Sequence, residues 1–249
     1  MKYILIAFTF FACTNISPNN DPLKISMEAL DTIKVVPAQI DASPSLFETA
    51  FIKGTSQSVN NKSLNLYGVT IGKIKIVSGY IIACDPMHID EYGIPFTQVF
   101  PMGEFPVQLS IAKLDGAETI AFARIKFSDE PVTNWEFALL EGQQRIPIEG
   151  KKKYGYSVDA GIGIFIDEEA KKSLDENQFA NMDAPLYTEL DKHYRNDWKY
   201  TMFEFGNHNL AAFTSGLGDG NYATYIGYDA KGIPCRLITD FGLFDWRGK

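Results

Sequence analysis

Several acidic residues interrupt segments that are otherwise apolar or rich in glycine, namely Asp85, Glu136, Asp159, Asp219 and Asp229. A carboxylate in such surroundings is costly unless it is paired or has a chemical use. Two carboxylates held close together can act as general acid and base, or can bind a divalent metal, in a hydrolase. Asp159 and Asp219 are the candidates for this chemistry, because both stand in or near glycine-rich segments.

The same acidic residues also have structural explanations that require no catalysis. Asp85 precedes a proline and Asp229 opens the sequence D-A-K-G, so both residues suit turns. Glu136 and Asp159 have apolar neighbours in the chain, and a buried ion pair would satisfy either of them. Two arginines with apolar neighbours are available as partners, namely Arg124 and Arg236. We expect this pairing in preference to an acid–base or metal-assisted site.

The densest glycine segment is S-G-L-G-D-G at residues 215–220. A dinucleotide-binding motif requires a helix after the glycines, whereas the residues that follow here are aromatic and β-branched. A P-loop is absent, since no Gly-Lys-Ser or Gly-Lys-Thr sequence occurs. A calcium loop would need more oxygen ligands than Asp219 and Asn221 provide. The segment therefore predicts a turn between two strands, in which glycine permits positive φ angles.

Other catalytic and metal-binding arrangements find little support in the sequence. Ser215 precedes a glycine and has His208 nearby, but the G-x-S-x-G motif of a serine nucleophile is missing. The three histidines lie far apart and no C-x-x-C pair occurs, which argues against a zinc site. We therefore expect no metal and no cofactor.

Aromatic residues around the glycine segment suggest a binding surface instead. A tyrosine provides a large contact area with a polar tip, which suits the surface of a protein or a glycan. The candidate ligand-binding residues are Trp135, Glu136, Ser215, Tyr222, Tyr225 and Tyr228. The same tyrosines can alternatively alternate into the core of a sheet, and the sequence leaves both possibilities open.

The N-terminus predicts export and a lipid anchor. Lys2 is followed by ten uncharged, mostly apolar residues, too short a stretch to cross a bilayer as a helix but typical of a secretion signal. Ala12 directly before Cys13 resembles the cleavage site of bacterial lipoproteins, in which the cysteine is acylated. We expect a signal peptide at residues 1–12 and a membrane-bound lipoprotein of the bacterial cell envelope, in the outer or inner membrane.

Composition separates a tether from a folded domain. Residues 13–45 are rich in Pro, Asn, Ser and Asp and predict a tether with at most a short helix at 26–33, whereas residues 46–249 predict a single β-rich domain. The net charge of -8 repels phosphate backbones, so nucleic acid is not an expected partner. Cys84 and Cys235 are compatible either with a disulfide or with two buried thiols.

Strand patterns dominate this domain. Residues 64–84 predict two strands, and residues 105–126 predict a hairpin whose turn is the Asp-Gly pair at 115–116. The sequence P-V-T-N-W-E-F-A-L-L at 131–140, the sequence Q-R-I-P-I at 144–148 and the sequence Y-G-Y-S-V-D-A-G-I-G-I-F-I-D at 154–167 predict further strands, the last of them long and continuous. Four more strand patterns follow after residue 196. No helix separates the strands before residue 167, so we expect mostly antiparallel pairing.

Helix signals are confined to one insertion. Asp167 precedes E-E-A-K-K-S-L and suits the N-cap of a helix, and a second helix is predicted after Asp183. The predicted fold class is therefore α+β, a mainly antiparallel sandwich or open barrel with a two-helix insertion near 168–195.

A combination of segments resembles a known family. They are D-P at 85–86, F-P-V-Q-L-S-I-A at 105–112, N-W-E-F-A-L at 134–139, V-D-A-G-I-G-I-F-I-D at 158–167 and S-G-L-G-D-G-N-Y-A-T-Y-I-G-Y-D at 215–229. Together they are similar to the bacterial domain-of-unknown-function family 4241, over residues 72–241. The family has no established activity, and the proximity of some relatives to toxin systems implies an immunity or binding role. Three functions thus stand as hypotheses: a lipid-anchored binding module, a carboxylate-dependent hydrolase and an immunity-type protein.

Overall fold

The computed structural model describes residues 45–59 and 62–247. The predicted signal peptide, the anchor at Cys13, the tether to residue 44 and the short helix at 26–33 lie outside the described residues. Within the described ranges, no helix combines the length and the apolar character needed to cross a membrane.

The described chain is mostly β-strand. The strands are β1 (Thr55–Val59), β2 (Lys62–Ile76), β3 (Ile81–Cys84), β4 (Gly103–Leu114), β5 (Ala117–Lys126), β6 (Asn134–Phe137), β7 (Tyr156–Val158), β8 (Ile162–Asp167), β9 (Tyr200–Phe205), β10 (His208–Thr214), β11 (Gly220–Tyr228) and β12 (Pro234–Asp240). The helices are α1 (Leu46–Thr49), α2 (Ile89–Tyr92), α3 (Glu168–Lys172) and α4 (Pro185–Lys192), with 3₁₀ turns at Pro86–His88 and Glu176–Gln178. The predicted two-helix insertion is thus present as α3 and α4.

The strands form two antiparallel sheets. The first sheet has the order β1-β2-β4-β5-β12-β11-β6, with β7 also paired to β11, and it curls into a half-barrel. The second sheet has the order β3-β8-β10-β9. Every ladder between named strands is antiparallel. The predicted fold class, α+β with a mainly antiparallel sheet, is confirmed.

Three apolar clusters hold these layers together. The largest lies between the two sheets and joins residues such as Ile111 of β4 to Phe213 of β10. A second covers the other face of the half-barrel and includes Phe47 of α1. The third packs α4, through residues such as Leu190, on the outer face of the second sheet. Because the second sheet is covered on both faces, all six residues of β8 are buried.

The local turn predictions are confirmed. Asp115 and Gly116 have φ angles of 51° and 95° between β4 and β5, as a tight hairpin turn requires. The predicted pair of strands in residues 64–84 is β2 and β3, separated by a reversal in which Gly79 has a φ of 79°. Asp167 caps α3, since its side chain accepts hydrogen bonds from the N–H groups of Glu169 and Ala170.

The long strand predicted at 154–167 is wrong, because the chain breaks there and passes from one sheet to the other. Gly161 has a φ of 66° between β7 and β8. The turn is held by Asp85, whose Oδ2 accepts from the N–H groups of Asp159 at 2.8 Å and Ala160 at 2.9 Å. The strand predicted at 144–148 is also absent, since those residues join no ladder.

The arginine partners differ from the prediction. Arg124 and Arg236 both bind Glu48 of α1, with Arg124 Nη1 and Arg236 Nε each 3.0 Å from Glu48 Oε1. They do not pair with Glu136 or Asp159, because both arginine side chains lie under α1 and contact its residues instead. The two arginines therefore fasten the first helix to the half-barrel.

The remaining cysteines are not bridged. Cys84 and Cys235 are both free and buried. Burial raises the pKa of the Cys235 thiol to about 11, so it stays protonated at neutral pH. Of the two possibilities that the sequence left open, the structure contains the pair of buried thiols.

Candidate functional site

The predicted catalytic carboxylates lie on exposed turns. Asp159 and Asp219 directly adjoin the paired residues Val158 and Gly220, so both stand at the same end of the β7–β11 ladder. The Asp159 side chain is 71% exposed, and its Oδ2 lies 3.3 Å from Nε2 of His88. Asp219 is also exposed. Within the part of the chain that the structure describes, no group of three or more His, Cys, Asp and Glu side chains is arranged to hold a metal ion.

Most of the predicted ligand-binding aromatics are buried. Trp135 is 4% exposed, Tyr222 7% and Tyr225 0%. Tyr225 packs on one side of β11 and Tyr222 on the other, because β11 contributes to the cores on both faces of the half-barrel. Tyr228 is half-buried. In this arrangement the rings of Trp135, Tyr222 and Tyr225 stabilise the sheet and present little surface to a ligand.

The glycine segment is a turn, as predicted. Gly216 and Gly218 have φ angles of 52° and 109°, and the chain continues into the strand β11. The Tyr222 hydroxyl donates to the carbonyl of Gly218 at 2.6 Å, and the Ser215 hydroxyl donates to the same carbonyl at 2.9 Å. Ser215 and Tyr222 therefore fix the shape of the turn.

A site that the sequence prediction missed surrounds Glu118, at the start of β5. Glu118 is 8% exposed and lies beside Lys113, its partner across the hairpin. The indole Nε1 of Trp198 donates to Glu118 Oε2 at 3.1 Å, and Lys113 Nζ lies 3.3 Å from Oε1. Tyr67 and Asn196 also hydrogen-bond to this carboxylate. The donors come from β2, from β4 and from the loop that precedes β9, and we call this cluster the Glu118 site.

The electrostatics of the site keep Glu118 ionised. Burial raises its pKa, but the hydrogen bonds from Trp198, Tyr67, Lys113 and Asn196 outweigh burial and leave the pKa below its ordinary value. Burial and the neighbouring carboxylate raise the pKa of the Tyr67 hydroxyl to about 12, so this hydroxyl remains protonated. A carboxylate that is ionised and saturated with donors is a poor general acid and a weak general base at neutral pH. The Glu118 carboxylate therefore holds its hydrogen-bond donors in fixed positions.

Two clefts open on either side of Glu118. One has a volume of 500 Å³ and is lined largely by the glycine turn and by apolar side chains, among them Leu64, Leu217 and Leu243. The other has a volume of 530 Å³ and has Lys53 and Lys113 in its lining, and we call it the lysine cleft. Glu118 lines both clefts. The site thus places an apolar surface next to an ammonium-bearing surface.

A turn with positive φ angles places the indole of Trp198 next to the Glu118 carboxylate. Asn196 and Asp197 have φ angles of 37° and 80°, which residues other than glycine rarely adopt. The turn is closed by hydrogen bonds from Arg195 N to Trp198 O at 2.7 Å and from Trp198 N to Arg195 O at 2.8 Å. Asn and Asp adopt positive φ angles more readily than other non-glycine residues, and the two hydrogen bonds hold the turn in this shape. The turn thereby fixes Trp198 and Asn196 over Glu118.

Comparison with known proteins identifies a family. A model of the family described as protein of unknown function (DUF4241) matches residues 74–239, about two thirds of the chain. This match confirms the resemblance drawn from the sequence segments. No curated protein and no solved structure matches the chain.

Proposed function

The chain belongs to the DUF4241 family of proteins of unknown function, and from its site we propose a lipid-anchored protein of the bacterial cell envelope whose β-rich domain binds a partner protein. One observation supports the proposal: the buried, hydrogen-bonded Glu118 lines two open clefts, and two of its donors, Tyr67 and Lys113, line one of them. A buried network of charged groups that reaches an open surface provides an interface with rigid, oriented polar groups.

The lining of the clefts indicates which surface the partner presents. Leu217 is 79% exposed at the mouth of the apolar cleft, so an aliphatic or aromatic side chain of the partner would bury it. In the lysine cleft, Lys53 and the half-exposed Lys113 favour a carboxylate. A partner segment with an apolar residue next to an acidic residue satisfies both surfaces.

A binding role fits this geometry better than hydrolysis does. The donors of Glu118 leave it no proton to transfer at neutral pH, and Asp159 and Asp219 stand on exposed turns. Acid–base chemistry depends on a carboxylate whose pKa lies near the working pH. Burial of a carboxylate without hydrogen-bond partners would raise its pKa toward that range. Glu118 has the opposite environment.

Site-specific photocrosslinking tests the binding proposal. We expect a photoreactive amino acid at Leu217 to capture an envelope protein in living cells, because this exposed side chain stands at the mouth of the apolar cleft. The matched control carries the same amino acid at Met182, which is 56% exposed but lies outside both clefts. Equal capture at the two positions, or none at Leu217, would contradict a partner at this site. A captured bacterial toxin would assign the immunity-type role.

The lipid anchor is tested separately through Cys13. We expect the wild-type protein to incorporate radiolabelled palmitate and to sediment with membranes, since acylation of this cysteine supplies the anchor. The Cys13→Ser variant should lose the label. Incorporation of palmitate by Cys13→Ser would refute the anchor without affecting the proposal for the Glu118 site.

A further inference from the structure

A second cleft lies beside β6, the edge strand of the half-barrel, and shares no lining residue with the Glu118 site. Its volume is 290 Å³. Its polar lining consists of Asn134, Glu136 and Arg145, and its apolar lining includes Phe137, Ile146 and Pro147. We call it the Glu136 cleft.

One carboxylate oxygen in this cleft lacks a hydrogen bond. Glu136 Oε1 accepts a hydrogen bond from Asn134 Nδ2 at 3.3 Å. Oε2 is shielded from solvent, and no described residue donates a hydrogen bond to it. Arg145 Nε lies 3.4 Å from Oε2, an ion-pair contact whose direction does not make a hydrogen bond. A shielded carboxylate oxygen without a donor is costly, so a donor supplied by a ligand would relieve that cost.

The cleft also offers donors to a ligand. The Arg145 side chain is 75% exposed, and a guanidinium group carries five N–H donors in one plane. Tyr228 lies close to the charges of Glu136 and Arg145. Burial and Glu136 raise the pKa of the Tyr228 hydroxyl to about 12, although Arg145 opposes this shift. The hydroxyl therefore stays protonated. Glu136 as acceptor and Arg145 as donor both line the cleft, whereas Tyr228 does not.

The charges in the cleft exclude most ionic ligands. Arg145 disfavours a cation near Glu136, and Glu136 disfavours an anion near Arg145, since their charges adjoin. A neutral ligand with neighbouring hydroxyl groups suffers neither penalty. One hydroxyl can donate to Glu136 Oε2 while the next accepts from Arg145, and the apolar lining from Ile146 and Pro147 suits the C–H face of a sugar ring.

We propose that the Glu136 cleft binds a neutral sugar of a glycan, with Glu136 as hydrogen-bond acceptor and Arg145 as donor. This proposal does not depend on the partner protein at the Glu118 site. Saturation-transfer NMR tests it, with the full-length chain and a panel of neutral probes: glucose, galactose, mannose and N-acetylglucosamine, each as the free sugar and as a trimer. At least one probe should show saturable binding to the wild-type protein.

Variants locate the binding. Glu136→Ala and Arg145→Ala should each weaken binding of that probe at least tenfold, because each removes half of the hydroxyl recognition. Glu141→Ala is the matched control, since Glu141 is exposed on a nearby turn but does not line the cleft. Arg145 is largely exposed, so its variant keeps the fold even if Glu136→Ala does not. Absence of saturable binding by every probe, or equal binding by Arg145→Ala and Glu141→Ala, would overturn the proposal.

Discussion

Replacement of Glu48 by alanine is expected to lower the free energy of unfolding by about 2–3 kcal/mol, less than the roughly 3–5 kcal/mol for a fully buried ion pair, because the Glu48 side chain is 36% exposed. Arg124 and Arg236 have side chains that are only 8% and 4% exposed, and Glu48 is the carboxylate that binds both of them. Without it, two like charges remain buried next to each other. Lost packing of α1 adds to this cost.

The geometry makes Glu48 the centre of the cluster. Arg236 binds it with two nitrogens, Nε at 3.0 Å from Oε1 and Nη2 at 3.2 Å from Oε2. Arg124 binds Oε1 from the other side, and burial together with the neighbouring Arg236 lowers the pKa of Arg124 to about 10, although Glu48 opposes this shift. Among the described residues, Glu48 supplies the carboxylate that pairs with both arginines.

Urea unfolding of Glu48→Ala and of Glu149→Ala measures the effect. Glu149 is exposed, so its variant controls for the loss of a surface carboxylate and should change the free energy of unfolding by less than about 0.5 kcal/mol. A triple variant with Glu48→Leu, Arg124→Met and Arg236→Met should regain stability, because it removes the charges as well as their partner. If Glu48→Ala matches Glu149→Ala, the cluster does not contribute to folding.

Features that depend on neighbours in the sequence could be predicted. The Asp-Gly hairpin turn, the cap at Asp167 and the antiparallel pairing all follow from short-range patterns that the structure reproduces. The register of the same hairpin places Lys113 opposite Glu118. This half of the Glu118 site could therefore have been predicted from the two-residue turn. The other half could not, because Trp198 is 80 positions away.

Features that depend on distant contacts were predicted wrongly or left open. The break between β7 and β8 is stabilised by Asp85, 74 positions from Asp159, and nothing in the local pattern signals it. Glu48 lies 76 positions from Arg124 and 188 from Arg236, so the ion-pair partner could not be chosen from the chain near the arginines. Tyr222 and Tyr225 of β11 are buried on opposite faces because the half-barrel is covered on both faces, which is a property of the assembled layers.

Replacement of Asp167 should also lower the free energy of unfolding strongly, because its side chain accepts hydrogen bonds from two separate segments of the chain. Its Oδ1 caps α3 by accepting from Glu169 N at 3.0 Å. Its Oδ2 accepts from Val77 N and Ser78 N, both at 3.0 Å, and from the Ser78 hydroxyl at 2.8 Å. The residue is 0% exposed. Asp167 thereby ties the reversal between β2 and β3 to the start of α3.

Alanine at this position is expected to cost about 2–3 kcal/mol, of which roughly 1 kcal/mol is the lost helix cap and the rest comes from the partly buried N–H groups of Val77 and Ser78, which lose their acceptor. Asp175→Ala is the matched control, since Asp175 caps the exposed turn Glu176–Gln178 through a 2.9 Å bond from Asn177 N but holds no second segment. Its cost should stay near about 1 kcal/mol. Ser78→Ala in each background measures how strongly the two residues are coupled. Equal costs for Asp167→Ala and Asp175→Ala would show that Asp167 acts only as a cap and that the reversal holds without it.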